Sequence, residues 1–519
     1  MRMFQHAPCR RRCLILCCLF ALFTLSACSS HNVQNSVNTE SPETYMLTCL
    51  IEQFSDVAPD TRSTWFHAFS ERYHVNVRLT CIPTLDFADR FAYLLSAGDL
   101  PALVTTNNTV TQSGIFKTAV QTGCFWDLTD ILPDYPHLMA YLGEDALRNA
   151  LIEGRLYGIP RLRSLTRNGM IYRKDWAERL GLDPPQTLSE LHEMIRAFTE
   201  DDPDGNGLHD TKGIVDCWKS WNNIGWNGIQ QLTVICGGPN GWGFDGEKMI
   251  PDYMTDAWLD ALGFFRRLHA EGLLNEDFAI LNPEQRRLSI TTGKVGMEFC
   301  VIDDIISLSE SLRKTDPGAE LAVMPLLRLG SEAPRLNSTS GNNGLILFTK
   351  SGSHAVQTEE ELRFLLALYD DFCTEEGQDF LLNGLSGIHY IEDADGRHVL
   401  TAQSGISLLS LQQGDFVMLL PIQSYERITG QSALQQELQL LQEKRNAYLV
   451  QDASLGLFSD TYLLRASTLQ QLIYTASMRY ILEEIDKDAF RDAQSAWLDA
   501  GGAEVIREYT EQYLSLHGP

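Results

Sequence analysis

Residues 45–54 read YMLTCLIEQF and residues 75–83 read VNVRLTCIP, with TWFHAFSERY (64–73) between them. The flanking stretches alternate β-branched and apolar residues, as strands do. The middle stretch sets Phe66, Phe69 and Tyr73 three and four apart, which predicts one apolar helix face. DFADRFAYLLSAGDLPALVTT (86–106) repeats the scheme with an amphipathic helix, a turn at Gly98-Asp99 before Pro101, and a short strand. Strand and helix in alternation predict an open α/β sheet whose parallel strands are buried on both faces.

The pattern resumes downstream. GRLYGIPRLRSLTRNGMIYRKDWAERLGL (154–182) places extended runs on either side of Pro160–Thr166 and starts a helix near Lys174. Thr187, Leu188, Ser189 and Glu190 form a T-x-x-E capping signal. Leu188, Leu191, Met194, Ile195 and Phe198 then supply an apolar stripe, read as core. GLILFTKS (344–351) is a further strand, after which the chain is mostly helical. Trp126, Trp176 and Trp258 sit at core-like spacings. A chain of 519 residues exceeds one ordinary core and predicts two lobes or more.

Arg2 and Arg10–Arg12 precede an apolar run, LILCCLFALFT (14–24), that is too short for a stable membrane-spanning helix. LSAC (25–28) follows and resembles the lipobox of bacterial lipoproteins, which makes Cys28 the expected lipid acceptor and new amino terminus. Loss of Met1–Ala27, with its four Arg and no acid, takes the formal charge from −27 to −31. Such acidity excludes a nucleic-acid partner, since phosphate binding needs a basic face. Seven cysteines remain beyond Cys28: Cys49, Cys81, Cys124, Cys217, Cys236, Cys300 and Cys373. None forms a C-x-x-C pair, so zinc is not expected, and most read as small buried hydrophobes. Residues 28–44 are polar and aperiodic, and read as a tether.

Residues 201–213, DDPDGNGLHDTKG, set Asp202, Asp204 and Asn206 at alternate positions, with Gly207 for a sharp turn. The Leu208 carbonyl and Asp210 add oxygen, and oxygen is what calcium prefers. The bidentate glutamate of a full EF-hand is replaced by Gly213, and a plain Asp/Asn/Gly turn is the competing reading. CWKSWNNIGWNG (217–228) packs Trp218, Trp221 and Trp226 beside Asn222, Asn223 and Asn227. Indole faces and amides suit a sugar, with its apolar C–H faces and hydroxyl rim. Further candidates follow from where cleft loops fall, at strand ends. They are Asn107, Arg163, Arg167, Asp303, Asn343 and Tyr390.

SAGDLPALV, GRLYGIPR, YRKDWAERLGL, DPDGNGLHDTKG, EGLLNEDFA, TGKVGMEF, LNGLSGIHY and AWLDAGGAEVIREY occur in this order over nearly the whole mature chain. Together they resemble the extracellular solute-binding proteins of bacterial ABC importers, in the class that includes maltose-binding protein. Within it, the resemblance is to the long lipoproteins of the LipO and alginate-oligosaccharide-binding type. It implies a class II periplasmic-binding-protein-like fold: two α/β lobes, a hinge, and a ligand cleft between them. The implied boundaries are 45–161 for lobe 1, 167–326 for lobe 2, and 327–519 for a return to lobe 1 with carboxy-terminal helices shared between lobes. It also implies calcium at the acidic loop, with a further acidic ligand where Thr211 stands here. The expected function is that of a lipid-anchored, monomeric receptor on the outer face of the cell membrane. It would capture an oligosaccharide or other small solute and deliver it to importer membrane subunits.

Two other readings stand beside this one: a solute sensor that partners a receptor kinase, and a secreted carbohydrate-active enzyme. An enzyme needs paired carboxylates, and 68 acids supply pairs by chance. There is no G-x-S-x-G elbow, H-E-x-x-H, P-loop, or GxGxxG after a strand, and the twelve histidines lack metal-ligand spacing. The expectation is therefore a binder with no catalytic residue.

Overall fold

A computed structural model describes residues 44–54, 58–217, 227–392, 398–403, 406–422 and 433–518. Nine strands build its two principal sheets. They are β1 (Tyr45–Gln53), β2 (Val75–Pro83), β3 (Leu103–Thr105), β4 (Gly158–Leu162), β5 (Asn168–Arg173), β6 (Lys212–Val215), β7 (Val295–Val301), β8 (Leu321–Val323) and β9 (Asn342–Phe348). The first sheet runs β2-β1-β3-β9-β4 and the second β8-β5-β7-β6. β1 lies parallel to β2 and β3, while β9 runs antiparallel between β3 and β4. In the second sheet β6 is parallel to β7, and β5 is antiparallel to both of its neighbours.

The opening alternation folds as its pattern predicts. Ser63 caps helix Thr64–Tyr73 by accepting from the Phe66 amide, and Trp65, Phe66, Phe69 and Tyr73 turn inward. Helix Leu188–Glu200 buries Leu191, Met194, Ile195 and Phe198, together with His192. Thr187 caps it through the Glu190 amide, but the Glu190 carboxylate returns to the Gln186 N–H rather than to Thr187. Trp176 and Trp258 are fully buried. Trp126 is only partly covered: its Nε1 donates to the Val356 carbonyl, and the Lys350 ammonium lies over its ring. The seven described cysteines are all free thiols; Cys49, Cys217 and Cys300 are buried and the other four partly so.

Two large apolar cores fill the lobes, and a third, smaller cluster gathers Ile171, Val215, Cys300, Ile302, Ile305 and Leu312 in the second. One large core joins Leu47–Ile159 positions to Leu345–Leu420. The other large core joins Met170–Leu327 positions to Leu457–Tyr509. Helices Asp460–Ile481, Lys487–Trp497 and Ala503–His517 thus bury Leu469, Phe490, Trp497 and Val505 in the second core.

Between the sheets the chain passes at residues 163–167 and again at 338–341. The two passages are tied side by side: the Arg163 amide donates to Gly341 O at 2.9 Å and the Thr339 amide to Leu165 O at 3.0 Å. The segment Leu449–Val450 joins them by pairing in parallel with Leu336–Asn337. Asn240, itself buried, donates one amide group to both Ser338 O (2.9 Å) and Val450 O (3.0 Å).

Candidate ligand cleft and acidic loop

The carboxyl ends of β1 and β3 bring Glu52 and Asn107 together. Asn107 Nδ2 donates to Glu52 Oε1 at 3.0 Å, and Asn107 Oδ1 caps the following helix at the Val110 amide. Glu52 is 1% exposed and its Oε2 has no partner. Burial pushes its carboxyl above the ordinary glutamate range, despite Asn107 and the nearby Arg161. Arg161, at the same edge, donates to Thr106 O (2.6 Å) and Asn343 O (3.1 Å), and burial lowers it to about 10. Gly344 sits at φ +81°, and a Cβ there would come within 2.2 Å of Thr106 O. Only glycine lets β9 approach β3 this closely. Asp415 completes the edge by accepting from the Phe54 amide at 3.2 Å.

On the second lobe, two of the sequence candidates meet. Arg167 Nε donates to Asp303 Oδ2 at 2.7 Å, and Gln442 Nε2 to Asp303 Oδ1 at 2.5 Å. Beneath them lies a buried charged layer. Arg286 Nε is 3.2 Å from Glu298 Oε2, and Arg286 Nη1 donates to Phe299 O. Asp216 accepts from the Cys217 amide at 2.7 Å. Burial outweighs the attraction of Arg286 for both acids, so Glu298 rises to about 7 and Asp216 to about 6.

Arg163 donates to the Leu162 carbonyl, and Asn343 is half-buried on β9. Tyr390 belongs to a separate hairpin, Tyr390–Glu392 with His398–Leu400, and is 7% exposed. Trp218, Trp221, Trp226 and Asn222 lie outside the described residues, between Cys217 and helix Asn227–Ile235. The reading from sequence missed Glu52, Arg161, Asp415 and Gln442. Arg161 stood within GIPR, where a charged residue at a strand end was a usable signal; the other three carried none.

In the acidic loop Asp202 takes φ +50°, and its two oxygens accept from the Asn206 (3.1 Å) and Gly207 (2.9 Å) amides. The Asn206 side-chain nitrogen donates to Asp204 Oδ2 (2.7 Å) and Asp210 Oδ1 (3.1 Å), and Lys294 pairs with Asp210. Lys294 holds Asp210 below its usual value, whereas burial and the neighbouring carboxylates push Asp204 above. Leu208 is exposed, with its amide bound to Asn206 Oδ1. Thr211 is buried and spends its hydroxyl on Phe198 O. A Cβ on Gly213 would come within 2.0 Å of Ile195 O. Among the described residues, no three His, Cys, Asp or Glu side chains close into a metal cage. The oxygen-only donor set is nevertheless that of a hard cation, and the Asn206 amide and Lys294 ammonium supply positive ends between its carboxylates.

Residues 52–351 match the family model for the bacterial extracellular solute-binding protein. The chain belongs to that family. As a solute-binding protein it is 31% identical over 504 residues to lipoprotein LipO of Bacillus subtilis (strain 168), covering 95% of this chain and 97% of that one. It is 29% identical over 436 residues to the polygalacturonan/rhamnogalacturonan-binding protein YtcQ of the same strain, covering 84% and 85%. Its fold matches that of the S. pneumoniae ABC-transporter substrate-binding protein FusA in complex with kestose, with TM-score 0.67 at 17% identity over 91% and 99% of the two chains. Two other solute-binding neighbours share this fold. They are a FusA EF-hand mutant in complex with fructo-nystose (TM-score 0.66, 18% identical, 91% and 99% covered) and alginate-binding protein AlgQ2 without calcium ion (0.65, 17%, 91% and 98%).

Proposed function

We propose that this chain captures an oligosaccharide between its lobes and hands it, unreacted, to the membrane subunits of an ABC importer. The observation that carries this reading is the pairing of two independently cored lobes with a hydrogen-bonded crossover, which suits hinged closure. Kinship with YtcQ, and the fold shared with FusA, support a glycan as the solute. Asn107, Arg163, Arg167, Asp303 and Asn343 are the polar candidates for its hydroxyls, and Trp218, Trp221, Trp226 and Asn222 the platform for its apolar faces. A lipid on Cys28 would hold the receptor, as a monomer, at the outer face of the membrane, consistent with kinship to LipO.

Calcium belongs to the same proposal. Asp202, Asp204, Asn206 and Asp210, with the Leu208 carbonyl, would hold it, and the ion would supply charge neutralisation that clamps the loop after helix Leu188–Glu200. Its role is structural. Incubation of the purified mature chain with mixed neutral and acidic oligosaccharides, read by native mass spectrometry, tests the main reading. A one-to-one complex whose glycan is recovered uncut is expected. No retained glycan, or a shortened one, would overturn it.

A further inference from the structure

Where the crossover meets the second sheet there is a cavity of about 20 Å³, lined by Arg445, Arg335, Gln231, Asn337, Phe299 and Met324 among others. That is room for one water-sized occupant, which needs roughly 10–15 Å³. Arg445, at the end of helix Ala433–Arg445, is 2% exposed. Its Nη1 donates to Asn168 O and its Nη2 to Met324 O, both at 3.0 Å, and its buried Nε has no partner. Arg335 likewise donates to carbonyls, those of Val234 (3.0 Å) and Gly238 (2.9 Å). No Asp or Glu is among the described residues that line the cavity. Burial lowers Arg445 to about 10, and no carboxylate acts against that.

Carbonyl dipoles satisfy hydrogen bonds but leave net charge, and a buried charge without a counter-charge is costly. A buried and a half-buried guanidinium group therefore line one small space of mixed polar and apolar walls, with no Asp or Glu among its described lining residues. The unpartnered Asn337 Oδ1 is no obstacle, because a half-turn of that buried amide presents its nitrogen instead. Gly169 fixes the arrangement: a Cβ there would lie 2.9 Å from Arg445 Nη1 and 2.7 Å from Ile302. The guanidinium thus cannot be displaced by a side chain on β5.

We infer that this cavity is a binding site for one small monovalent anion, a halide such as chloride, held by Arg445 and Arg335 at the root of the hinge. Room for one water-sized occupant suits a halide better than the larger sulfate, phosphate or carboxylate. Leu336 and Asn337, which pair with Leu449–Val450, line the site, and the first residue of β5 holds Arg445, so the halide would tie the passages between lobes to the second sheet.

The test is thermal unfolding of the full mature chain in sodium chloride or bromide against sodium gluconate, at one ionic strength. Halide should raise Tm by roughly 2 °C or more over gluconate. Arg335→Gln and Arg445→Met should each lose most of that difference. Crystals grown in bromide should show an anomalous peak in the cavity, a readout that stands even where Arg445→Met fails to fold. Equal Tm in all three salts, or a cavity holding only water in the bromide crystal, would overturn the inference.

Discussion

Asp216 and Glu298 are carboxyls kept from water in the second lobe, and Asp452 is a third, raised to about 6 by burial. Each binds its proton more tightly folded than unfolded, so the stability it lends is full below its unfolded value (3.8 for Asp, 4.5 for Glu) and is lost as pH rises through 6 to 7. His389, buried and held below 6.5, acts in the opposite sense and offsets part of the slope. Asp202, Asp210 and Asp127, held low, lose their contribution only under more acid conditions. The expected profile falls in stability as pH rises through 6 to 7. Glu298→Gln should flatten the alkaline limb, read from urea midpoints across pH. A limb as steep in the variant would show that Glu298 carries none of it. At this scale the sequence was a partial guide. Asn107 and Asp303 could be named as candidates because they directly follow strand-like runs, and Arg167 because it borders the first crossover. Glu52 was not, because a lone acid inside an apolar strand says nothing of whether its carboxylate finds water or a neighbouring amide.

The acidic loop shows what an element adds to a motif. Sequence alone marks Gly213 as a missing ligand. In the fold it is a residue of β6 pressed against the helix that precedes the loop, where no side chain fits. Gly213→Ala should therefore cost roughly 2–4 kcal/mol in chemical unfolding, far beyond a surface change; a cost below 0.5 kcal/mol would refute that packing. Calcium should raise the melting temperature of the wild-type chain, and Asp202→Ala with Asp204→Ala should abolish the rise. A wild-type curve unmoved by calcium would remove the site. Strand and helix types were readable from periodicity because apolar spacing reports the buried face directly. The return bond of Glu190 to Gln186 was not, since a carboxylate chooses between adjacent amides by loop geometry that spacing does not encode.

For the whole molecule, two lobes could be anticipated from chain length and motif order, but the way the passages are fastened could not. Asn240 gave no signal in sequence, yet it bridges Ser338 and Val450, residues 98 and 210 positions away. Asn240→Ala takes the side-chain donor from Ser338 O and one of two donors from Val450 O, which keeps the Ser338 amide, and should cost about 1–3 kcal/mol, seen as a lower Tm in calorimetry. An unchanged Tm would show that the bridge contributes nothing. The account rests on closure of one lobe on the other around an intact glycan. Small-angle X-ray scattering of the mature chain with and without a retained oligosaccharide measures this directly. A smaller radius of gyration in the complex, reversed when the glycan is removed, is the result expected. Identical profiles at saturating occupancy would contradict it.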